Sequence, residues 1–523
     1  MKKQIEIVIP PDFLNDKEYL YNAAAGKLNL APEELSAVVP VRRSVDARSK
    51  NPVFRLLADV YLNENPAAEE NYIYNPVKKN QRVIIVGCGP AGMFAALRLI
   101  ELGIKPVIIE RGKDVQTRRR DIRAIQQDQI VNPDSNYCFG EGGAGAYSDG
   151  KLYTRSTKRG DVKKILKVLV QHGAQPDILI DAHPHIGSNK LPGVVKAMRE
   201  TILNCGGEIY FNSRVTDFII KEDKIAGVVT NNENEFSGGA VILATGHSAR
   251  DIYYLLHKRN ILIEQKAFAI GVRIEHPQAL INEIQYHSKE RNPNLPAASY
   301  TLACDVNGRG VYSFCMCPGG IIVPSATAPG EIVVNGMSLS RRNSPFANSG
   351  FVVSVDEKDW KKYKNDFPFS GLKLQQEIEQ LSFKLANNSG AGGQSAPAQR
   401  VTDFVEGKLS QSLPKSSYIP GVTSAPLHKE LPEFINSALS KALIIFNKKM
   451  RGYFTEEAII VATESRTSSP VRIPRDKETL MHPEVNGLFP SGEGAGYAGG
   501  IVSAAIDGEN CADAAVKYLL AYF

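Results

Sequence analysis

The 523-residue chain has no apolar run close to the ~18–20 residues a membrane-spanning helix needs, which argues against a helical membrane protein. Glu6, Pro10 and Pro11 interrupt the amino terminus before an apolar signal core can form, so no secretory leader is expected and the expected location is cytoplasmic. Cysteine is sparse: Cys88, Cys138, Cys205, Cys304, Cys315, Cys317 and Cys511 form an odd set without regular spacing, which excludes a disulfide-stapled scaffold and suits a reducing compartment. Charge of one sign is also lacking. The 62 basic and 56 acidic side chains leave only +6, weak grounds for a nucleic-acid partner, though a phosphate-bearing cofactor suits it. Arg42, Arg43, Arg48 and Lys50 cluster near the amino terminus, but residues 1–80 hold 11 basic and 11 acidic side chains, a poor balance for gripping phosphates.

What is present is a globular composition, 43% apolar and 23% charged, with length for about three folding units at roughly 100–200 residues each. Residues 4–9 alternate as a strand, a helical stretch follows around 17–26, and 36–45 and 53–62 are strand-like; together they predict a small α+β domain over 1–75. The polar segment Asn63 to Asn80 is the expected linker.

Beyond it, Arg82 to Val86 is a β-branched run, Gly87-Cys88-Gly89-Pro90-Ala91-Gly92 a glycine turn, Met93 to Leu102 a helical pattern and Pro106 to Glu110 a second strand. This is G-x-G-x-x-G in its required strand-turn-helix setting. Gly87 serves the tight turn, Gly89 the approach of backbone to a pyrophosphate, and Gly92 the packing of helix on strand, with the helix amino end facing the anion. Glu110 follows 18 residues after Gly92, where its carboxylate can accept both hydroxyls of an adenosine ribose; Arg111 is next to it.

Three more segments extend the site. Asn486 to Ile501, with Gly492-Glu493 and Gly500-Ile501, looks like the second flavin fingerprint of two-dinucleotide-binding flavoproteins, and a helix starting near Gly500 would aim its positive end at flavin N1/O2. Ala244-Thr245-Gly246 is similar to a turn of the same flavoproteins, and Arg214-Val215 stands where they hold adenine by backbone contacts. Phe139 to Leu152 carries five glycines, so Gly142, Gly143, Ala144 and Gly145 are expected to lie along the flat flavin ring, with a flexible surface loop as the alternative. Lys151 closes this loop as the candidate catalytic cation, acting on reduced flavin or an anionic substrate; a solvated side chain is the bland reading.

Nearly the whole chain resembles bacterial FAD-dependent dehydrogenases of unassigned substrate, the broad group of NAD(P)/FAD-dependent oxidoreductases of the two-dinucleotide-binding type. The segments carrying the resemblance include Arg43 to Arg48, Glu141 to Leu152, His185-Ile186-Gly187, Ala244 to Asp251, Cys317 to Gly320, Ser344 to Gly350 and Gly487 to Gly508. It implies an α/β fold: an FAD-binding Rossmann-like domain of the glutathione-reductase type over 80–264 and 431–523, an inserted β-rich substrate or cap domain over 265–430, and the small α+β domain.

The function expected is a flavin oxidoreductase, noncovalent FAD passing a hydride between N5 and a small-molecule substrate. Apart from the flavin segments above, no second G-x-G-x-x-G follows a strand, so a dedicated nicotinamide domain is not expected, and reoxidation is left to transient NAD(P)H, a protein carrier, a quinone or oxygen. The alternative is an FAD-holding protein that binds or modifies RNA through its amino-terminal domain. Among single candidates, Cys315-Met316-Cys317 is either a redox pair or, the favoured reading, buried packing. His183 and His185 lack partners at a metal spacing, so no metal is expected; His185 could instead line the pocket. Arg466 is a candidate anion holder, and the six basic residues of Arg111 to Arg123 read as a solvated helix face.

Overall fold

The computed structural model describes every residue except 68–70, 79–80, 155–157, 388–392 and 523; parts of the expected linker fall outside the described residues. The amino-terminal unit consists of β1 (Lys2–Ile9), α1 (Lys17–Leu28), β2 (Ala37–Asp46) and β3 (Val53–Tyr61), an antiparallel sheet in the order β1-β3-β2. Asp16 starts α1 by accepting the N–H of Tyr19 at 3.0 Å, and Asn29 ends it in the left-handed region at φ 56°. Alternate residues of β1 and β3, such as Ile7, Ile9, Phe54, Leu56 and Ala58, face inward and merge with the core of the β-rich layer described below. Arg43 ties the unit to the rest of the chain, bonding Asp181 at 2.8 Å and Asp177 at 2.9 Å.

β4 (Arg82–Val86), β5 (Lys105–Ile109) and β6 (Glu208–Tyr210) join the strands Ala240–Leu243 and Leu488–Pro490 in a five-stranded sheet whose paired strands all run parallel. Their continuous apolar runs follow from burial on both faces. Ile85, Ile108, Ile242 and Phe489 point into a core shared with α2 (Pro90–Glu101) and the terminal helix Ile501–Tyr522. Ile84, Val86, Val107, Val241 and Leu488 point into a second core on the other face. Two glycines make the β4-turn-α2 geometry possible. Gly87 has φ +104° and lies so close to Ala244 that an added Cβ would stand 2.4 Å from its carbonyl oxygen, while a Cβ on Gly92 would stand 2.0 Å from the Gly87 oxygen.

Ile225 to Val229 belongs to a separate antiparallel meander of Val215–Lys221, Lys224–Thr230 and Glu235–Ser237. The two-residue connection at Glu222-Asp223 favours hairpin pairing, which is local and antiparallel.

The β-rich layer is a seven-stranded sheet running, edge to edge, through Ala303–Val306, Arg309–Cys317, Phe346–Val355, Phe268–Pro277, Ile459–Glu464, Ala396–Arg400 and Val422–Ser424. All neighbours are antiparallel except the last pair. The domain boundary expected at 430 does not match this sheet: Ile459–Glu464 lies in its interior and the helix Glu433–Lys449 contributes Leu439, Leu443 and Phe446 to its core. Both segments therefore leave the FAD-domain assignment of 431–523, because a run such as Ile-Ile-Val-Ala-Thr-Glu can pair in either sheet and only the long-range partner decides. Among the described residues no helix is long and apolar enough to cross a membrane.

Candidate functional site

A cavity of about 800 Å³ opens where the carboxyl ends of the parallel strands meet the β-rich layer. Val86, Ile109, Ala244 and Ser491, each at or just beyond a strand end, form its floor, and Phe314 and Cys315 enter from the antiparallel sheet. Of the residues singled out in the sequence, Gly87, Gly89, Pro90 and Ala91 of the glycine turn line it, as do Glu110, Arg111 and Val215. Gly143, Ala144, Gly145 and Lys151 line it from the glycine-rich loop, and Thr245, Gly246, Gly492, Glu493, Gly500 and Ile501 complete it.

Gly92 and Gly142, the other two glycines expected as contacts, are not among the residues lining the cavity. Gly92 is spent on holding α2 against the turn, and Gly142 sits behind the wall, donating its N–H to the Cys88 carbonyl at 2.7 Å.

Glu110 is buried, and its carboxylate accepts the N–H groups of Cys88 at 2.8 Å, Gly112 at 2.9 Å and Gly140 at 3.0 Å. One side chain thus joins the glycine turn, its own strand end and the glycine-rich loop. The basic run beyond it is a solvated face only in part. Arg111 lies over the Phe139 ring at 4.1 Å and pairs with Asp134 and Asp251, and Arg118 is wholly buried, donating to the carbonyls of Asn136 at 2.7 Å and Glu141 at 2.8 Å. Arg119, Arg120 and Arg123 do face solvent. These buried cations fasten the glycine-rich loop, which makes it a built wall instead of a free surface loop. Glu141 in the same loop accepts from Val115 N–H at 2.7 Å and Arg199 at 2.9 Å; burial pushes its carboxyl up to about 7, with those two donors opposing the rise.

Lys151 is half-buried, with 33% of its side chain exposed. Its Nζ lies 3.5 Å from Cys315 Sγ, 3.5 Å from Cys317 Sγ and 3.4 Å from Asp149 Oδ2. Burial works against the ammonium, but the two sulfurs and Asp149 outweigh it and raise its pKa. Asp149 is itself held by Arg342 at 2.6 Å and by the Ser338 hydroxyl; burial would raise its pKa, and Lys151 and Arg342 instead hold it well below the usual carboxylate range. His185 backs this group from outside the cavity, pairing with Lys151 through the backbone and bonding the Ser340 carbonyl at 3.2 Å.

Arg466 also lines the cavity. Its guanidinium bonds Glu379 at 2.9 and 3.1 Å and Thr327 at 3.3 Å, while Nη1 is buried without a protein partner. Glu379 in turn pairs with Arg250, which bonds Glu331 at 2.8 Å. Burial opposes the charge of Arg466, but Glu379 outweighs it and raises the pKa further. His247, which the sequence did not single out, lines the cavity with a buried Nδ1 lacking a hydrogen-bond partner, 3.6 Å from Glu493 Oε1.

These residues fit an FAD. Gly246 and Gly500 belong to the wall, and no protein atom stands within 4 Å of where a Cβ on either would sit, leaving bare backbone toward the space. Arg466 Nη1 and His247 Nδ1 supply unused polar positions, and Glu110 supplies a carboxylate.

Comparison with known proteins agrees. Residues 80–130 match a family model described as an FAD binding domain, residues 267–467 one described as FAD-dependent protein, C-terminal domain-like, and residues 1–61 a domain of unknown function. The second of these ranges takes in the helix and strand that the structure moves into the β-rich layer. A thiamine thiazole synthase of Aeropyrum pernix is 27% identical over 161 residues, 30% of this chain and 47% of that protein. The crystal structure of a geranylgeranyl bacteriochlorophyll reductase-like protein of Thermoplasma acidophilum is similar with a TM-score of 0.34 at 14% identity, over 84% of this chain and 79% of that one. Nothing supports the RNA-binding alternative, and Arg43 and Arg48 of the amino-terminal basic cluster already pair with carboxylates. An uncharacterized protein of Clostridium beijerinckii is 41% identical over 520 residues, 95% of this chain and 96% of that one, and with FAD as the cofactor the chain belongs with it to one family of FAD-dependent proteins.

Proposed function

We propose that the protein is an FAD-dependent oxidoreductase that passes a hydride between a small-molecule substrate and flavin N5, the parallel-sheet layer holding the cofactor and the β-rich layer supplying the substrate side. When bound, FAD supplies the two-electron chemistry. Gly87, Gly89, Pro90 and Ala91, with the amino end of α2, take the pyrophosphate, and Glu110 accepts the ribose hydroxyls while staying braced by three backbone N–H groups. Val215 borders the adenine, and Gly492 and Glu493 border the ribityl chain. Gly143, Ala144 and Gly145 would hold the flat ring, and the amino end of the helix Ile501–Tyr522 would supply positive potential to its reduced form. Lys151 presents its ammonium to the negative charge that develops on reduction or on the substrate.

One observation carries this reading: a single cavity wall joins the glycine fingerprint to a charged Lys151 held by Asp149 and the two cysteines. Anaerobic mixing of the yellow protein with NADH, NADPH and a metabolite panel, followed by flavin absorbance, tests it. Bleaching by a physiological donor, and recovery with an acceptor, is the expected result. A folded protein that carries no flavin and takes none up would overturn it.

A further inference from the structure

Cys315 on the cavity wall and Cys317 behind it are thiols to which the reading above gives no chemistry of their own. Three geometric observations single them out. Cys315 lies on the cavity wall, whereas Cys317 is wholly buried behind it. The strand carrying them is bulged between Phe314 and Cys317, and Cys315 sits at φ +46°, a conformation unfavourable for a side chain of its kind. Such a bulge re-aims a side chain, and backbone held in the left-handed region marks positions whose surroundings enforce it. The enforcement is visible: Arg273, wholly buried, donates Nη2 to the Cys315 carbonyl at 2.8 Å and approaches Cys317 Sγ at 3.6 Å, and is itself anchored by Glu464 at 2.7 Å and Asn348 at 2.7 Å. Lys151 then stands 3.5 Å from each sulfur.

We propose that Cys315 and Cys317 form a redox-active pair that exchanges electrons with the flavin, Cys315 being the thiolate on the cavity side and Cys317 the resolving thiol behind it. The inference rests on the flavin ring lying at the Lys151 part of the cavity. The electronic asymmetry of the pair supports it. The adjacent Cys317 thiol, which donates to the Cys315 carbonyl at 3.3 Å, lowers the Cys315 pKa most; burial opposes that, and Lys151 and Arg273 add to the lowering. The neighbouring Cys315 and burial raise Cys317. One ready nucleophile beside one protonated partner is the arrangement thiol-disulfide chemistry requires.

The step balances without an outside reagent. The Cys315 thiolate and the Cys317 thiol form one S–S bond, the S–H bond of Cys317 breaks, and the pair of electrons and that proton pass to oxidised flavin, giving the reduced flavin anion. In reverse, reduced flavin cleaves the disulfide and restores the thiolate and the thiol. Lys151, on the cavity wall and 3.5 Å from each sulfur, is the counter-charge for whichever partner holds the negative charge.

Two readouts on the wild-type holoprotein test this. The protein is oxidised with ferricyanide, desalted, and titrated anaerobically with dithionite while flavin absorbance is followed; samples are quenched into a denaturing alkylating agent and digested with trypsin. Because no Lys or Arg lies between Arg309 and Arg341, both cysteines fall in one peptide, residues 310–341. The expected result is two electron pairs consumed per flavin, with the oxidised peptide unalkylated and lighter by two hydrogens, and doubly alkylated after the titration. Cys317→Ser should consume a single pair while keeping FAD. In the reduced protein Lys151→Met should slow alkylation of Cys315 near neutral pH by about tenfold through loss of thiolate. A wild-type protein whose flavin bleaches with one electron pair and whose oxidised peptide is already doubly alkylated overturns the pair while leaving the flavin reading intact; failure to hold or reduce FAD overturns the flavin reading itself.

Discussion

The Glu110 carboxylate accepts the backbone N–H of Cys88 at 2.8 Å, so the end of one strand braces the glycine turn that follows its neighbour. Glu110→Ala removes this acceptor together with those for Gly112 and Gly140, and also the proposed ribose contact. FAD affinity should fall by about 1–3 kcal/mol, and thermal stability should fall with it because three buried N–H groups lose their partner. FAD fluorescence on dilution and a melting curve read the two effects separately; a folded variant with unchanged FAD retention refutes the ribose assignment.

Lys151→Met should keep FAD, lower the flavin reduction potential and slow reduction by roughly tenfold or more, since negative charge on the reduced ring loses its partner. Lys151→Arg should restore part of both. The potential, measured by dye equilibration, distinguishes this from simple loss of a structural contact with Asp149.

FAD should be released quantitatively on denaturation, since every contact proposed for it is noncovalent. Flavin retained on the precipitated chain would contradict this.

Arg466→Met removes one of the two arginine partners of wholly buried Glu379 and leaves Arg250 as its remaining cation. Breaking one side of a buried network typically costs about 3–5 kcal/mol, because the remaining charge loses a partner without regaining water. Thermal melting of the variant should show a large loss, and Arg466→Met combined with Glu379→Gln should recover much of it.

His276 is buried in the β-rich layer with Nε2 against the Tyr453 carbonyl at 2.8 Å, and burial pushes its pKa down to about 4. The unfolded chain therefore binds a proton at higher pH than the folded one. The stability this residue allows is fully present above pH ~6.5 and is lost as pH falls toward about 4, by about 3 kcal/mol in all at 1.36 kcal/mol per unit. His276→Gln should flatten the fall in melting temperature over that window; an identical pH profile refutes the assignment.

Local chemistry made part of this molecule legible. The β4-turn-α2-β5 unit and Glu110 fall within residues 82–110, and each step depends on near neighbours: a β-branched run, glycines where a Cβ would collide, a helical pattern and a strand-ending carboxylate. The carboxyl-terminal fingerprint was readable for the same reason, as Leu488–Pro490 and the helix from Ile501 flank its glycines directly.

Contacts across long separations were not readable. Arg118 lies in a run of charges that a helix face would normally leave in water, yet carbonyls 18 and 23 residues away bury it. Ile459–Glu464 carries no mark of the sheet it joins. The sequence shows only the spacing of Cys315 and Cys317, whereas Lys151 meets them from 164 and 166 residues away. Residue types and short-range sterics determined the cofactor fold and its phosphate turn; which sheet a strand enters, which cations are buried and which sulfur faces the cavity were decided by tertiary structure, since burial and pKa depend on neighbours that only folding brings together.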